Sequence, residues 1–204
     1  MSSDDSNADV ERKLAIHFIL LMGLVSLLGD ITYEGARSVI GPYLAILGAS
    51  AVIVSSISGL GDFIAYALRL VSGYVADRTE MYWPLTLLGY GLILSIPFLA
   101  FADYWPLAVL FIILERLGKA IRSPARDAML SHATKKVGRG WGFAIHEMMD
   151  QIGAIIGPMV FFLVFMFGGG YHEGFIILFI PAILVLVALS LARMKVPSPV
   201  KLEE

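Results

Sequence analysis

Charged side chains recur at helical spacing inside the apolar stretches of this chain, and they are the residues able to do chemistry. Asp30, Glu34 and Arg37 stand at i, i+4 and i+7, as do Glu115, Lys119 and Arg122, while Asp62 and Arg69 are seven apart. Each set falls on one face of a helix. Arg116 adjoins the second set, and His146, Glu147 and Asp150 form a further cluster. A charge in hydrocarbon is costly unless it is paired or faces a polar cavity, so these stripes face a cavity or a partner. The acids Asp30, Glu34, Asp62, Glu115, Glu147 and Asp150 outnumber the bases Arg37, Arg69, Arg116 and Lys119 by two. A carboxyl without an intramembrane base is protonated, hydrated or open to a cation, which is the signature of a proton or cation relay.

The run His146-Glu147-Met148-Met149-Asp150 also resembles a zinc-hydrolase helix, in which two ligands four apart flank a general base. Here aspartate replaces the second histidine, and only His17, His132 and His172 remain as further ligands. An intramembrane metalloprotease using His146, Glu147 and Asp150 is therefore one alternative, against a histidine and two acids at an intersubunit contact. With no cysteine in the chain, thiolate metal sites and cysteine nucleophiles are excluded. The expectation is a protein that is not an enzyme, with no cofactor and no resident metal.

The elements that position these residues are membrane helices. Of the 204 residues, 58% are hydrophobic and only 16% charged, with a mean hydropathy of +0.80, whereas soluble chains carry about 25% charged residues. Apolar runs of about 20 residues, the length that crosses a bilayer core, predict an all-α integral membrane fold. Six transmembrane helices are expected at about 14–37, 49–76, 83–102, 106–122, 141–167 and 174–192, between tails at 1–13 and 193–204. Pro84 and Pro106 open helices 3 and 4, where a missing amide proton is harmless. Helices 3 and 6 hold no charge and the other four do, so the order polar, polar, apolar repeats and predicts two three-helix repeats.

Lysine and arginine cluster on alternate connections: Arg12, Lys13, Arg78, Arg122, Arg126, Lys135, Lys136, Arg139, Arg193, Lys195 and Lys201 on one side, none in the loops of the other. By the positive-inside rule both termini are cytoplasmic, in a multi-pass protein of the plasma (cytoplasmic) membrane. Trp83, Trp105 and Trp141 fall at helix ends, as interfacial anchors do. A net charge of -2 gives no basic footprint for nucleic acid. The expected partners are membrane lipid, protons and a small-molecule substrate.

Three motifs carry a resemblance. Gly73-Tyr74-Val75-Ala76-Asp77-Arg78 closes helix 2, with Thr79, Glu80, Met81 and Tyr82 in place of a basic tail; helix 4 holds Arg116 with Gly118; helix 5 holds Gly153-Ala154-Ile155-Ile156-Gly157-Pro158. Together, on these helices, they resemble the amino-terminal six-helix half of a major facilitator superfamily (MFS) transporter. The resemblance implies that helices 1 and 4 line a cavity, helices 2 and 5 meet another half, and helices 3 and 6 face lipid. It implies a gating role for Gly73, Asp77 and Arg78, and links Gly153, Gly157 and Pro158 to helix packing and antiport.

Members of that family have two six-helix halves. The expectation is therefore a half-size transporter acting as a parallel homodimer by alternating access, with proton-coupled antiport of a small, possibly cationic, solute. Asp30, Glu34, Arg37, Glu115, Arg116 and Lys119 are the cavity candidates, and Asp62, Arg69, His146, Glu147 and Asp150 the interface or proton-relay candidates. A separate polypeptide supplying the carboxy-terminal half, and a non-transporting receptor or assembly subunit, remain as alternatives.

Overall fold

The computed structural model describes residues 3–202, with side chains described over 9–200, and these residues are helical without a strand. The helices are α1 (Ser3–Ile46), α2 (Ala51–Thr79), α3 (Tyr82–Gly91), α4 (Trp105–Thr134), α5 (Arg139–Met166), α6 (Tyr171–Ile177) and α7 (Phe179–Lys195). Tighter 3-10 turns at Leu92–Ser95 and Pro97–Phe101 carry α3 onward. Breaks coincide with left-handed backbone that glycine adopts freely: Gly48 (φ 91), Gly138 (φ 101) and Gly168 (φ 80). Ser50 caps α2 by accepting from the Ile53 amide at 3.4 Å.

Among the described residues five segments are long and apolar enough to cross a membrane: Asp9–Ile46 of α1, α2, Tyr82–Phe101, α5 and Tyr171–Lys195. α4 has 30 residues, but Glu115, Arg116, Lys119, Arg122, Arg126 and Asp127 leave it no 18-residue stretch as free of charge as those in the five.

Several boundaries differ from the sequence reading. α1 continues past Arg37 and through Pro42 to Ile46, because Val39, Tyr43 and Leu44 are buried and hold the last turns against the bundle. α4 continues past Arg122 to Thr134 with Pro124 inside it. Proline leaves the carbonyl four residues back without a donor, and here the Ser72 hydroxyl of α2 donates to that carbonyl, on Ala120, at 2.6 Å. The expected loop at 123–140 is thus mostly helix. The stretch 174–192 is also interrupted, between α6 and α7 at Leu178.

α1 packs on α5 and α7, whereas α4 packs on α2 and α3, with a smaller α1–α4 contact joining the two groups. One apolar cluster gathers Phe18, Met22, Trp83, Met129 and Leu189, and the other Tyr43, Leu99, Phe161 and Phe175. Trp83 belongs to the first: it is buried, and its Nε1 donates to the Val196 carbonyl at 3.0 Å, so it ties the end of the chain to α3 rather than facing an interface.

The α1–α5 seam depends on glycine. A β-carbon at Gly157 would come within 2.6 Å of the Gly35 nitrogen, and one at Gly153 would run into the Leu27 carbonyl. Small residues of this kind let two helix backbones approach closely in a membrane. α2 is the opposite case. Leu60, Phe63 and Leu70 are 63%, 71% and 79% exposed, and none of its apolar window is buried.

Candidate functional site

The charged residues separate into three groups. The first lines a cavity of about 100 Å3 between α1, α2 and α4, formed by Tyr33, Arg37, Asp62, Tyr66, Arg69, Arg116 and Lys119 with Ala65 and Ala120. Arg116 anchors it: Nη1 donates to the Ile57 carbonyl at 2.6 Å and the Ser58 carbonyl at 3.2 Å, and lies 3.5 Å from the Asp62 carboxylate. The guanidinium reaches the α2 backbone because position 61 is glycine, where a β-carbon would collide with Nη1. Lys119 Nζ sits 3.5 Å from the centroid of the Tyr33 ring, and the Arg37 guanidinium is 5.8 Å from the same ring, a cation–π arrangement. Arg69 donates to the Ser123 hydroxyl at 3.4 Å and lies 5.5 Å from the Tyr66 ring, but its buried Nε has no partner.

The second group crosses α4, α1 and α5. Arg126 Nη1 donates to the Ser26 hydroxyl at 2.9 Å, and that hydroxyl donates to Asp150 at 2.6 Å. The Asp30 carboxyl, one turn along α1 from Ser26, lies within hydrogen-bond reach of Asp150. Carboxylates only accept hydrogen bonds, so two that approach each other repel unless a proton lies between them. His146 is buried close by, with neither ring nitrogen bonded.

The third group has no opening. Glu115 and Arg122 are both buried and pair at 3.1 Å, with Arg122 also donating to the Gly89 carbonyl at 3.3 Å and lying 4.8 Å from the Tyr90 ring. Glu115 thus pairs with Arg122 rather than Lys119, against α3 and away from the cavity.

Of the residues selected from sequence, Arg37, Arg116 and Lys119 line the cavity, and Asp62 and Arg69 join them there. Asp30 belongs with Asp150 and His146. Glu34 pairs with Arg37 at 3.4 Å, and Glu147 accepts from Gln151 at 2.8 Å. On α2, Gly73 faces Pro124, Asp77 is exposed, and Arg78 lies 5.6 Å from the Tyr74 ring. Gly153 and Gly157 sit on the α1–α5 seam, with Pro158 inside the helix.

Sequence reasoning missed Tyr33, Tyr66, Ser26, Ser123 and Arg126. Two of these had a signal: Ser26 stands four before Asp30, and Arg126 stands four after Arg122. The longer α4 also takes in Arg122, Arg126 and Asp127, which gives six bases against seven acids, so the surplus of acid inferred from sequence falls from two to one. Among the described residues no group of three or more His, Asp or Glu side chains is arranged to hold a metal ion, which leaves the zinc-hydrolase reading without a ligand set there.

Comparison with known proteins agrees with the fold. The chain matches the Major Facilitator Superfamily over residues 18–204. It is 43% identical over 192 residues to an uncharacterized protein of Mycobacterium tuberculosis (93% of this chain, 47% of that protein). It is 29% identical over 197 residues to an uncharacterized MFS-type transporter of Methanocaldococcus jannaschii (95% and 48%). It is 30% identical over 150 residues to the multidrug resistance protein MdtH of Photorhabdus laumondii (73% and 37%). The chain spans about half the length of the first two relatives. A charged cavity among long apolar helices, together with a match over most of the sequence, gives one conclusion: this is a multi-pass membrane protein belonging to the Major Facilitator Superfamily of transporters.

Proposed function

We propose that the chain forms one six-helix half of a proton-coupled secondary transporter, with α4 as the sixth crossing. The observation that carries this reading is the cavity itself. Charged residues from α1, α2 and α4 converge on it, while the outer face of α2 is apolar and uncovered. α4 crosses despite its charge because Glu115 and Arg122 are paired and buried, Arg116 and Lys119 turn to the cavity, and Arg126 is held by Asp127 and the Ser26 hydroxyl.

A second six-helix half in the same orientation would cover α2 and the exposed side of α5, where Ile155 and Phe162 are 65% and 63% exposed. Rocking of the two halves then opens the cavity to one side of the membrane and the other in turn. The doubled length of the relatives supports a partner of this size. A second copy of this chain, inserted with both termini cytoplasmic, would meet α2 with its α5 and α5 with its α2, as an isologous contact requires.

Asp30 and Asp150 are the proton-carrying pair in this reading, joined to α4 through Ser26 and Arg126. Antiport is favoured: a proton held between α1 and α5 and a solute held between α1, α2 and α4 would both bear on α1.

Reconstituted into proteoliposomes enclosing a pH-sensitive dye, the protein should move protons only when a transported solute is supplied. A solute-independent proton leak, or none with any solute in a panel of organic anions, cations and sugars, would overturn the reading. Because the chain has no cysteine, Leu60→Cys and Ile155→Cys variants mixed in one membrane report the partner. Disulfide formation between chains supports a second copy as the partner, and its absence argues against one.

A further inference from the structure

We propose that the cavity between α1, α2 and α4 binds a small organic oxyanion, a carboxylate or a phosphate ester, rather than a cation. This rests on the reading above for transport but not for binding. The lining holds four cations, Arg37, Arg69, Arg116 and Lys119, and a single carboxylate, Asp62. Two of the four are engaged: Arg116 lies beside Asp62 and is held by two α2 carbonyls, and Arg37 pairs with Glu34.

Arg69 and Lys119 are not. Among the described residues no carboxylate lies within 4.0 Å of either charged group. Arg69 has a serine hydroxyl at 3.4 Å and a tyrosine ring at one side, and its Nε is shielded from solvent with no acceptor. Lys119 rests on the Tyr33 ring. A cationic solute would add a like charge to a lining in which four cations face one carboxylate and two of them have no ion-pair partner. An oxyanion supplies the missing acceptor for the guanidinium, whose fork matches carboxylate and phosphate geometry, and a counter-charge for the ammonium. The faces of Tyr33 and Tyr66 form apolar walls for the remainder of the ligand.

The acids of the second group stand outside the cavity. Asp150 accepts from Ser26, Asp30 lies beside Asp150 and reaches Lys119 only through space, and neither lines the cavity.

The test measures binding of radiolabelled succinate and phenyl phosphate, with tetraphenylphosphonium as the cationic probe. It uses the full chain with any copurifying half, in nanodiscs of phosphatidylcholine. One or both anions should bind, and Arg69→Gln and Lys119→Gln should each weaken binding about tenfold or more, with Arg69→Lys intermediate and Arg193→Gln unchanged. Where Arg69→Gln fails to fold, Lys119→Met, whose stem also packs on Tyr33, reads the same loss.

Binding of the cation alone, or of neither charge, overturns the proposal. So does a site occupied only by phosphatidylglycerol headgroups, seen as retention of that lipid which neither anion displaces. Anion binding without flux in proteoliposomes would remove the transport reading and leave the oxyanion site standing.

Discussion

The hydroxyl of Ser72 donates to the carbonyl of Ala120 at 2.6 Å, which is the acceptor that Pro124 leaves without its helical donor. Two helices are joined here by repairing a backbone defect. Ser72→Ala should therefore destabilise the protein by about 1–3 kcal/mol, the effect of a buried unsatisfied acceptor. Adding Pro124→Ala should restore most of the loss, because the new amide closes the helical bond. Thermal melts of the two variants in detergent measure both effects, and equal melting points for the single and double variants would refute the repair.

Glu115 and Arg122 predict a different non-additivity. Removing one partner strands a buried charge, at about 3–5 kcal/mol, whereas replacing both by apolar residues is often near neutral. Glu115→Leu or Arg122→Leu alone should sharply lower folded yield, and the double variant should recover most of it. Fluorescence-detected size exclusion gives the comparison.

The glycine seam sets a third expectation. Gly157→Ala places a methyl group against the Gly35 backbone, and overpacking of this kind is worth about 1–3 kcal/mol. Gly41→Ala, with nothing within 4 Å of the added carbon, should leave the melting point unchanged.

Gly61→Val should displace Arg116 from the Ile57 and Ser58 carbonyls. Amide exchange should then rise over residues 55–62 with little change in α5. Uniform protection across α2 would show that Arg116 does not hold it.

Asp30→Asn and Asp150→Asn should each abolish solute-dependent proton movement, since either removes one half of the shared-proton pair. Exchange of labelled for unlabelled solute, which needs no net proton transfer, should persist in both. Loss of exchange with loss of proton flux would mean the pair serves the fold instead.

Most of the helices were legible because their cue is local: a run of apolar residues between glycine or charged breaks. The end of α4 was not. Pro124 reads as a stop until Ser72, 48 residues before Ala120 in the chain, is known to lie beside that residue. The site was legible in part for the same reason. Spacing placed Arg37 and Lys119 on inward stripes, with Arg116 beside the second, but no one-dimensional pattern shows that Glu115 turns to α3 while Lys119, one turn later, turns to Tyr33. The partner of a charge depends on the neighbouring helix, and the inferred acid surplus shrank from two to one once α4 was extended.

α2 is fastened to α4 at three polar points, through Arg116, Arg69 with Ser123, and Ser72 with Ala120. Its remaining surface touches little else within the bundle. Such a helix travels as cargo on its neighbour: when α4 tilts, α2 must follow without any interior side chain having to change its packing, and the cavity walls it shares with α4 keep their shape while the opposite wall, on α1, recedes or advances.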